Sequence, residues 1–243
     1  MSRHPGWPAR LGPLRVAGGL VTVRSLKLRD AAAWSRLRMR DREHLEPWEP
    51  TGESPWDMRH HISVWPGLYR SLRAEAHRGH MIPMAIELDG RFCGQITVGN
   101  IVRGALRSAW IGYWVEKDVN GLGVATAAVA LGLDHCFGPV GLHRVEATVR
   151  PENLASRAVL QNVGFREEGL LQRYLDVHGR FRDHMLVAMT VIVVVGFFVC
   201  SRGLQRGLER VTKVMMLLLL GIMVVLAVHS LFLKGGRAGL RFY

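Results

Sequence analysis

The sequence predicts an α+β (mixed α/β) domain, a sheet with helices on its faces, followed by a hydrophobic C-terminal helix. Three observations carry this expectation. Short β-branched runs alternate with segments of helical period, two of the runs are joined by Asp89-Gly90, and the composition changes abruptly after Thr190. The chain has 243 residues, 49% hydrophobic and 21% charged, which excludes a disordered or collagen-like polypeptide. Residues 1–190 hold 25 Lys+Arg against 19 Asp+Glu, and residues 191–243 hold 7 against 1. The tail is both the most apolar and the most cationic part, a pattern that suits a membrane-bound segment.

Residues 1–19, rich in Pro, Gly and Arg, read as a disordered leader without the apolar run of a secretory signal. Val21–Leu26 alternates and is β-branched, as a half-buried strand requires. Asp30 then caps a helix to about Arg40, with Ala33, Trp34 and Leu37 at helical spacing. Leu45–Pro50 is a proline loop carrying Trp48. A second helix is expected from Pro55 to about His77, capped by Ser54, with Pro66 kinking or dividing it. Met84–Leu88 and Arg91–Val98 read as a hairpin turned by Asp89-Gly90. Next come a strand at Ala109–Val115, an alanine-rich helix at Gly123–Phe137 and a strand at His143–Val149. A short helix at Leu154–Asn162 and strands at Gly164–Leu175 and Phe181–Thr190 complete the order.

Cys93, Cys136 and Cys200 form no Cys-x-x-Cys pair, which points to a reducing compartment, and the scattered histidines lack ligand spacing, so no metal is expected. The excess of positive charge comes without a basic run interleaved with aromatics, so no specific nucleic-acid partner is expected.

The chemistry lies in two blocks. In Ile111–Thr126 a strand leads through a glycine loop into a helix. Gly121 and Gly123 let the chain turn tightly and aim several N–H groups one way, and the helix adds its free amides and positive dipole end. That geometry favours a phosphate or pyrophosphate; a plain flexible turn is the alternative. A Rossmann or P-loop reading is weaker, because Thr126 stands where a third glycine belongs and no Gly-Lys-Ser/Thr follows. In the second block, Val149–Gly169, a strand end meets a helix with Asn153 and Ser156 one turn apart on one face.

In this order and separation the two blocks resemble the GNAT superfamily of acyl-CoA N-acyltransferases, and within it the RimJ/RimL-like branch. Val21–Asp30, Pro47-Trp48-Glu49-Pro50 and Gly179–His184 extend the likeness over about residues 20–190. The resemblance implies a central, mostly antiparallel sheet with splayed strands. It also implies a loop at Asn120, Gly121, Leu122, Gly123, Val124, Ala125 and Thr126 that wraps the pyrophosphate of acetyl-CoA with backbone amides. The pantetheine arm would bond in the gap between the strands Ile111–Val115 and His143–Val149 like an added strand. Asn153 and Ser156 match positions that hold the pantetheine end and approach the thioester. The family usually has Gln or Arg where this chain has Asn120, which predicts reduced or unchanged coenzyme affinity.

The implied reaction is direct attack of a neutral primary amine on the thioester in a ternary complex. Amides around Val115 stabilise the oxyanion and Ser156 protonates the departing thiolate. The amine belongs to a protein N-terminus, such as that of a ribosomal protein, or to a small molecule. The general base is open: Glu146 beside the gap is a candidate, and a solvated strand glutamate is the alternative reading. Asp183-His184 reads as a structural pair or as part of the acceptor pocket.

After Thr190 the character changes. Val214–Leu233 is twenty residues that carry no formal charge unless His229 is protonated, bracketed by Lys213 and Lys234. At about 1.5 Å per residue this matches a bilayer core of roughly 30 Å. Residues 200–243 resemble the region joining the fourth and fifth transmembrane helices of neurotransmitter:sodium symporters, chiefly through Gly203–Met215. Transport is excluded for this chain alone, because the broken helices of two repeats are not present. The expectation is therefore a composite: a cytoplasmic catalytic domain over residues 20–190, tethered to a membrane by a span at 214–233. A non-catalytic membrane-associated fragment and a catalytically silent acyl-CoA sensor are the competing functions.

Overall fold

Asp89 and Gly90 both take left-handed backbone angles, φ 49° and 81°, as the expected two-residue turn demands. The turn joins β3 (Ile82–Leu88) to β4 (Arg91–Val102). In the computed structural model, which describes residues 6–190, this hairpin lies inside an eight-stranded sheet. The other strands are β1 (Arg10–Val16), β2 (Gly19–Ser25), β5 (Ser108–Val115), β6 (Arg144–Val149), β7 (Arg166–Val177) and β8 (Arg180–Thr190). Their spatial order is β1-β2-β3-β4-β5-β6-β8-β7. Every described pairing is antiparallel except β5 with β6. That parallel pair is joined at only three positions, Ser108↔Arg144, Ala109↔Val145 and Trp110↔Glu146.

Helices cover both faces. On one face lie α1 (Ala31–Arg40), α2 (Arg42–Leu45), α3 (Trp56–His60) and α4 (Trp65–Arg78). Trp34, Leu37 and Trp65 there join Leu26, Ala85 and Phe92 in one buried cluster, with Trp114 against it. On the other face lie α5 (Val124–Phe137) and α6 (Leu154–Asn162). A Cβ at Gly132 of α5 would stand 3.2 Å from Ile96 and 3.5 Å from Ile111, so glycine lets this helix sit close to the sheet centre. β5 thus turns its odd residues toward α5 and its even residues toward the tryptophan cluster.

Several expectations need correction. Residues 10–16 are the edge strand β1, not part of a disordered leader; Pro13 is accommodated because β1 has its irregularity between Leu11 and Leu14. The helix expected over residues 55–77 is two, and the break falls at His61, which is extended, with Pro66 in the first turn of α4. Pro55, not Ser54, stands at the N-cap of α3. Asp30 precedes α1 but makes no side-chain cap; its carboxylate takes two bonds from Arg24 at 2.8 Å each and one from the Lys27 amide. Asp183 and His184 do not pair with each other: Asp183 accepts from the Arg173 amide, and the His184 ring meets the Arg182 carbonyl and Tyr174. Among the described residues no helix is long and apolar enough to cross a membrane. The span expected at 214–233 and Cys200 lie outside the described residues.

Candidate active site

The wedge in the sheet follows from backbone direction. The Glu116 amide donates to the Cys93 carbonyl of β4 at 2.8 Å. Successive strand residues direct their N–H groups to opposite edges, so Val115 and Tyr113 direct theirs away from β4. On that side lies β6, whose pairing with β5 has already ended at Trp110↔Glu146. The main chain of Tyr113 and Val115 therefore has no strand partner there among the described residues. An extended amide-bearing ligand could pair with it.

Beyond β5 a 3-10 turn at Lys117–Val119 leads into the glycine loop. Gly121 and Gly123 have φ of 74° and 80°, left-handed angles that side chains with a Cβ resist. A Cβ at Gly121 would meet nothing within 4 Å, so the loop faces open space. The first bond of α5 runs from the Ala127 amide to the Gly123 carbonyl at 3.0 Å. The N–H groups of Gly121, Gly123, Val124, Ala125 and Thr126 meet no acceptor among the described residues, and they sit at the positive end of a 14-residue helix. The Asn120 and Leu122 amides are used inside the loop, on the Lys117 and Val119 carbonyls at 3.2 and 3.4 Å. The Asn120 side chain instead meets His44 of α2 at 3.1 Å. Of the seven residues expected to wrap a pyrophosphate, five thus present free amides and two brace the loop. The residues present fit a diphosphate and an extended amide arm.

A buried ionic cluster holds this loop from behind. Glu116, 1% exposed, pairs with Arg91 and with Arg40 at 3.1 Å. Asp41, also buried, accepts from Arg40 at 2.7 and 2.8 Å and from the Lys117 amide at 3.0 Å. Burial alone would raise the Asp41 pKa; the Arg40 and Lys117 hydrogen bonds and charges outweigh it, and the value lies below the ordinary carboxylate range. The sequence reading missed this cluster because its members lie 76 residues apart.

On α6, Asn153 is the N-cap, and its Oδ1 accepts from the Ser156 amide at 3.0 Å. Ser156 Oγ lies 3.0 Å from Tyr113 Oη and the Ser156 carbonyl 3.3 Å from it, so the single phenol proton is donated to one or the other. Tyr113 was not among the expected site residues; its place one turn of the pleat from Ile111 and Val115 was the signal. Burial pushes its pKa up to about 12, against the opposing effect of the Ser156 bond. Glu146 lies at the last rung before the gap, on the other face of the sheet from Ser156. It pairs with Arg144 at 2.6 Å, and Arg144 also holds Glu168 at 2.8 Å. Its neighbour across the pairing is Trp110, so it lies on the tryptophan face of the sheet and away from Ser156.

That face also carries a cavity of about 270 Å³, lined in part by Glu49, Thr51, Trp56, Arg59 and His178. Thr51 pins its wall to the β7–β8 hairpin, through bonds to Asp176 and from the Gly179 amide. Arg150, just past β6, donates to the Pro47 carbonyl at 3.0 Å and lies over Trp48. The proline loop therefore stands beside the open end of the wedge. Among the described residues no group of three or more His, Cys, Asp or Glu is placed to hold a metal ion.

Comparison with known proteins bears on this geometry. A solved structure of Mycobacterium smegmatis RimJ in complex with CoA-disulfide is 62% identical, with a TM-score of 0.77, covering 78% of this chain and 90% of that one. The [Ribosomal protein uS5]-alanine N-acetyltransferase of Escherichia coli is 25% identical over 191 residues, 76% of this chain and 95% of its own length. The probable N-acetyltransferase YjcK of Bacillus subtilis is 42% identical over 101 residues, and the match spans 56% of that protein. A stretch of 57 residues is 39% identical to the uncharacterized sodium-dependent transporter YhdH of Bacillus subtilis, 24% of this chain and 13% of the transporter. The model of the acetyltransferase (GNAT) domain matches residues 21–166. With that match laid over the wedge, the glycine loop and the Asn153–Ser156 turn, the chain belongs to the GNAT acetyltransferase family.

Proposed function

We propose that this N-acetyltransferase moves an acetyl group from acetyl-CoA to the α-amine of a protein N-terminus, with Ser156 as proton donor to the departing sulfur. The observation that carries this reading is the wedge: β5 leaves β6 after three paired residues, and its unpaired remainder leads through a short turn into a loop of free amides. Acetyl-CoA supplies the activated thioester. Gly121, Gly123, Val124, Ala125 and Thr126 hold its diphosphate, the main chain of Tyr113 and Val115 takes the pantetheine amides, and Asn153 shapes the turn that presents Ser156.

The amine enters from the tryptophan face, beside the cavity walled by Glu49 and Trp56. Its lone pair forms the new C–N bond, and the Val115 amide bonds the developing oxyanion. The C–S bond then breaks with its electron pair going to sulfur. Sulfur gains one proton from Ser156 and nitrogen loses one, so the hydroxyl is recharged within the turnover. Holding both reactants in line supplies much of the acceleration. Glu146, bound to Arg144, serves as base only through a water.

The protein N-terminus as acceptor is supported by the uS5-directed relative, which this chain covers almost end to end. A cytoplasmic catalytic domain with a membrane tether at 214–233 rests on the sequence pattern of the tail, beside the 57-residue likeness to a transporter. The test is acetyl-CoA-dependent thiol release with amine-ended peptides and small amines. Turnover only with small amines would overturn the acceptor, and coenzyme binding without any turnover would mark a silent sensor. Ser156→Ala is expected to lower kcat about 100-fold with little change in coenzyme affinity. Unaltered turnover would remove Ser156 from the mechanism.

A further inference from the structure

Among the described residues, the hydroxyl proposed to protonate sulfur has one side-chain hydrogen-bonding partner, and it comes from a different element. Tyr113 Oη lies 3.0 Å from Ser156 Oγ, and the same oxygen reaches the Ser156 carbonyl at 3.3 Å. β5 and the first turn of α6 are thus joined at the position where the sheet itself is open. A serine hydroxyl near a helix start has two common alternatives, bonding to its own helix or rotating freely toward water. Neither would keep a proton aimed at a sulfur atom.

We infer that Tyr113 is the positioning residue of the reaction: its phenol fixes the Ser156 hydroxyl at the mouth of the wedge. The inference rests on the reading of Ser156 as proton donor and adds the group that aims it. A tyrosine suits the task because its ring is rigid and its one proton, donated to Ser156 Oγ rather than to the carbonyl, leaves the serine proton free for sulfur. It stays protonated through the neutral range, since burial holds the phenol near 12. Tyr113 exchanges no proton with substrate; it holds the oxygen that does.

The test uses the full chain and four proteins: wild type, Tyr113→Phe, Ser156→Ala and the double variant. Tyr113→Phe keeps the half-buried ring and removes only the hydroxyl. It is expected to lower kcat about 10-fold, leaving KM for acetyl-CoA and the dissociation constant of coenzyme A within about twofold. In the Ser156→Ala background the same change is expected to cost less than twofold, because there is no hydroxyl left to aim. Unchanged kcat in Tyr113→Phe, or a double variant that falls by the product of the two single losses, overturns the inference.

Should Ser156→Ala alone leave turnover intact while Tyr113→Phe lowers it, the reading of Ser156 fails and Tyr113 itself becomes the donor. Incorporation of 3-fluorotyrosine at 113 covers the case in which the phenylalanine variant fails to fold. It keeps the hydroxyl with a lower pKa, so a positioning role predicts that the high-pH limb of kcat stays where the wild type has it. A high-pH limb that moves with the phenol pKa would show Tyr113 titrating in turnover, against a positioning role.

Discussion

His60 is 5% exposed, with its ring against Trp34 and Trp56, and its Nδ1 lies 3.0 Å from the Trp56 carbonyl. Burial, and then the charges of Arg38 and Arg59, push its pKa down to about 4. A base whose folded pKa is depressed is bound neutral, so the unfolded chain takes up its proton first as pH falls. The stability it supports is complete above about 6.5 and declines between about 6.5 and 4. At full effect this is at most about 3 kcal/mol. Urea midpoints at pH 7 and 4.5 are expected to differ clearly in the wild type and less in His60→Gln; equal slopes in both proteins would refute the assignment. Tyr113 shows what residue-level reading leaves hidden. A tyrosine in an apolar, aromatic-rich strand reads as core, and only the α6 turn, 43 residues later, reveals what its oxygen meets.

Elements were legible where the signal was local. Asp89-Gly90 specifies its turn through two left-handed residues, and Asn153 specifies the start of α6 through its own side chain. The strand β1 was not, because Pro13 and the glycines around it argue against a strand until β2 is there to pair with. Pro66 signals that the next helical segment is kinked or divided, but the break at His61 was hidden, since Trp65 is buried among Leu26, Ala85 and Phe92 and Trp56 donates to the Arg38 carbonyl of α1. The site loop depends most on distant groups. Glu116 ties the residues before Asn120 to Arg40 of α1 and Arg91 of β4. Glu116→Gln keeps the shape and removes the buried charge. We expect a loss of about 2 kcal/mol in urea unfolding, below the range for fully buried pairs because both arginines reach solvent. Calorimetry with coenzyme A is expected to show weaker binding in the same variant. Unchanged stability and affinity would mean that the ionic cluster does not hold the loop.

For the whole molecule, the family was readable in advance because two blocks, Ile111–Thr126 and Val149–Gly169, carry most of the site. The acceptor was not, since the cavity wall joins the proline loop to a hairpin turn through Thr51, some 125 residues away. The three-rung seam between β5 and β6 has a further consequence. Five strands lie on one side of it and three on the other, each group zipped by long antiparallel ladders. Such a molecule is mechanically two leaves on a narrow hinge, and the hinge is where its amides should breathe fastest. Acetyl-CoA laid along the open edge would act as a stitch. At a hundred times its dissociation constant, the bound form gains about 2.7 kcal/mol. Deuterium uptake in residues 111–115 and 147–149 is therefore expected to slow on loading more than in the β3–β4 hairpin. Uniform slowing across both regions would mean that the leaves already move as one, and that the coenzyme reads the fold without fastening it.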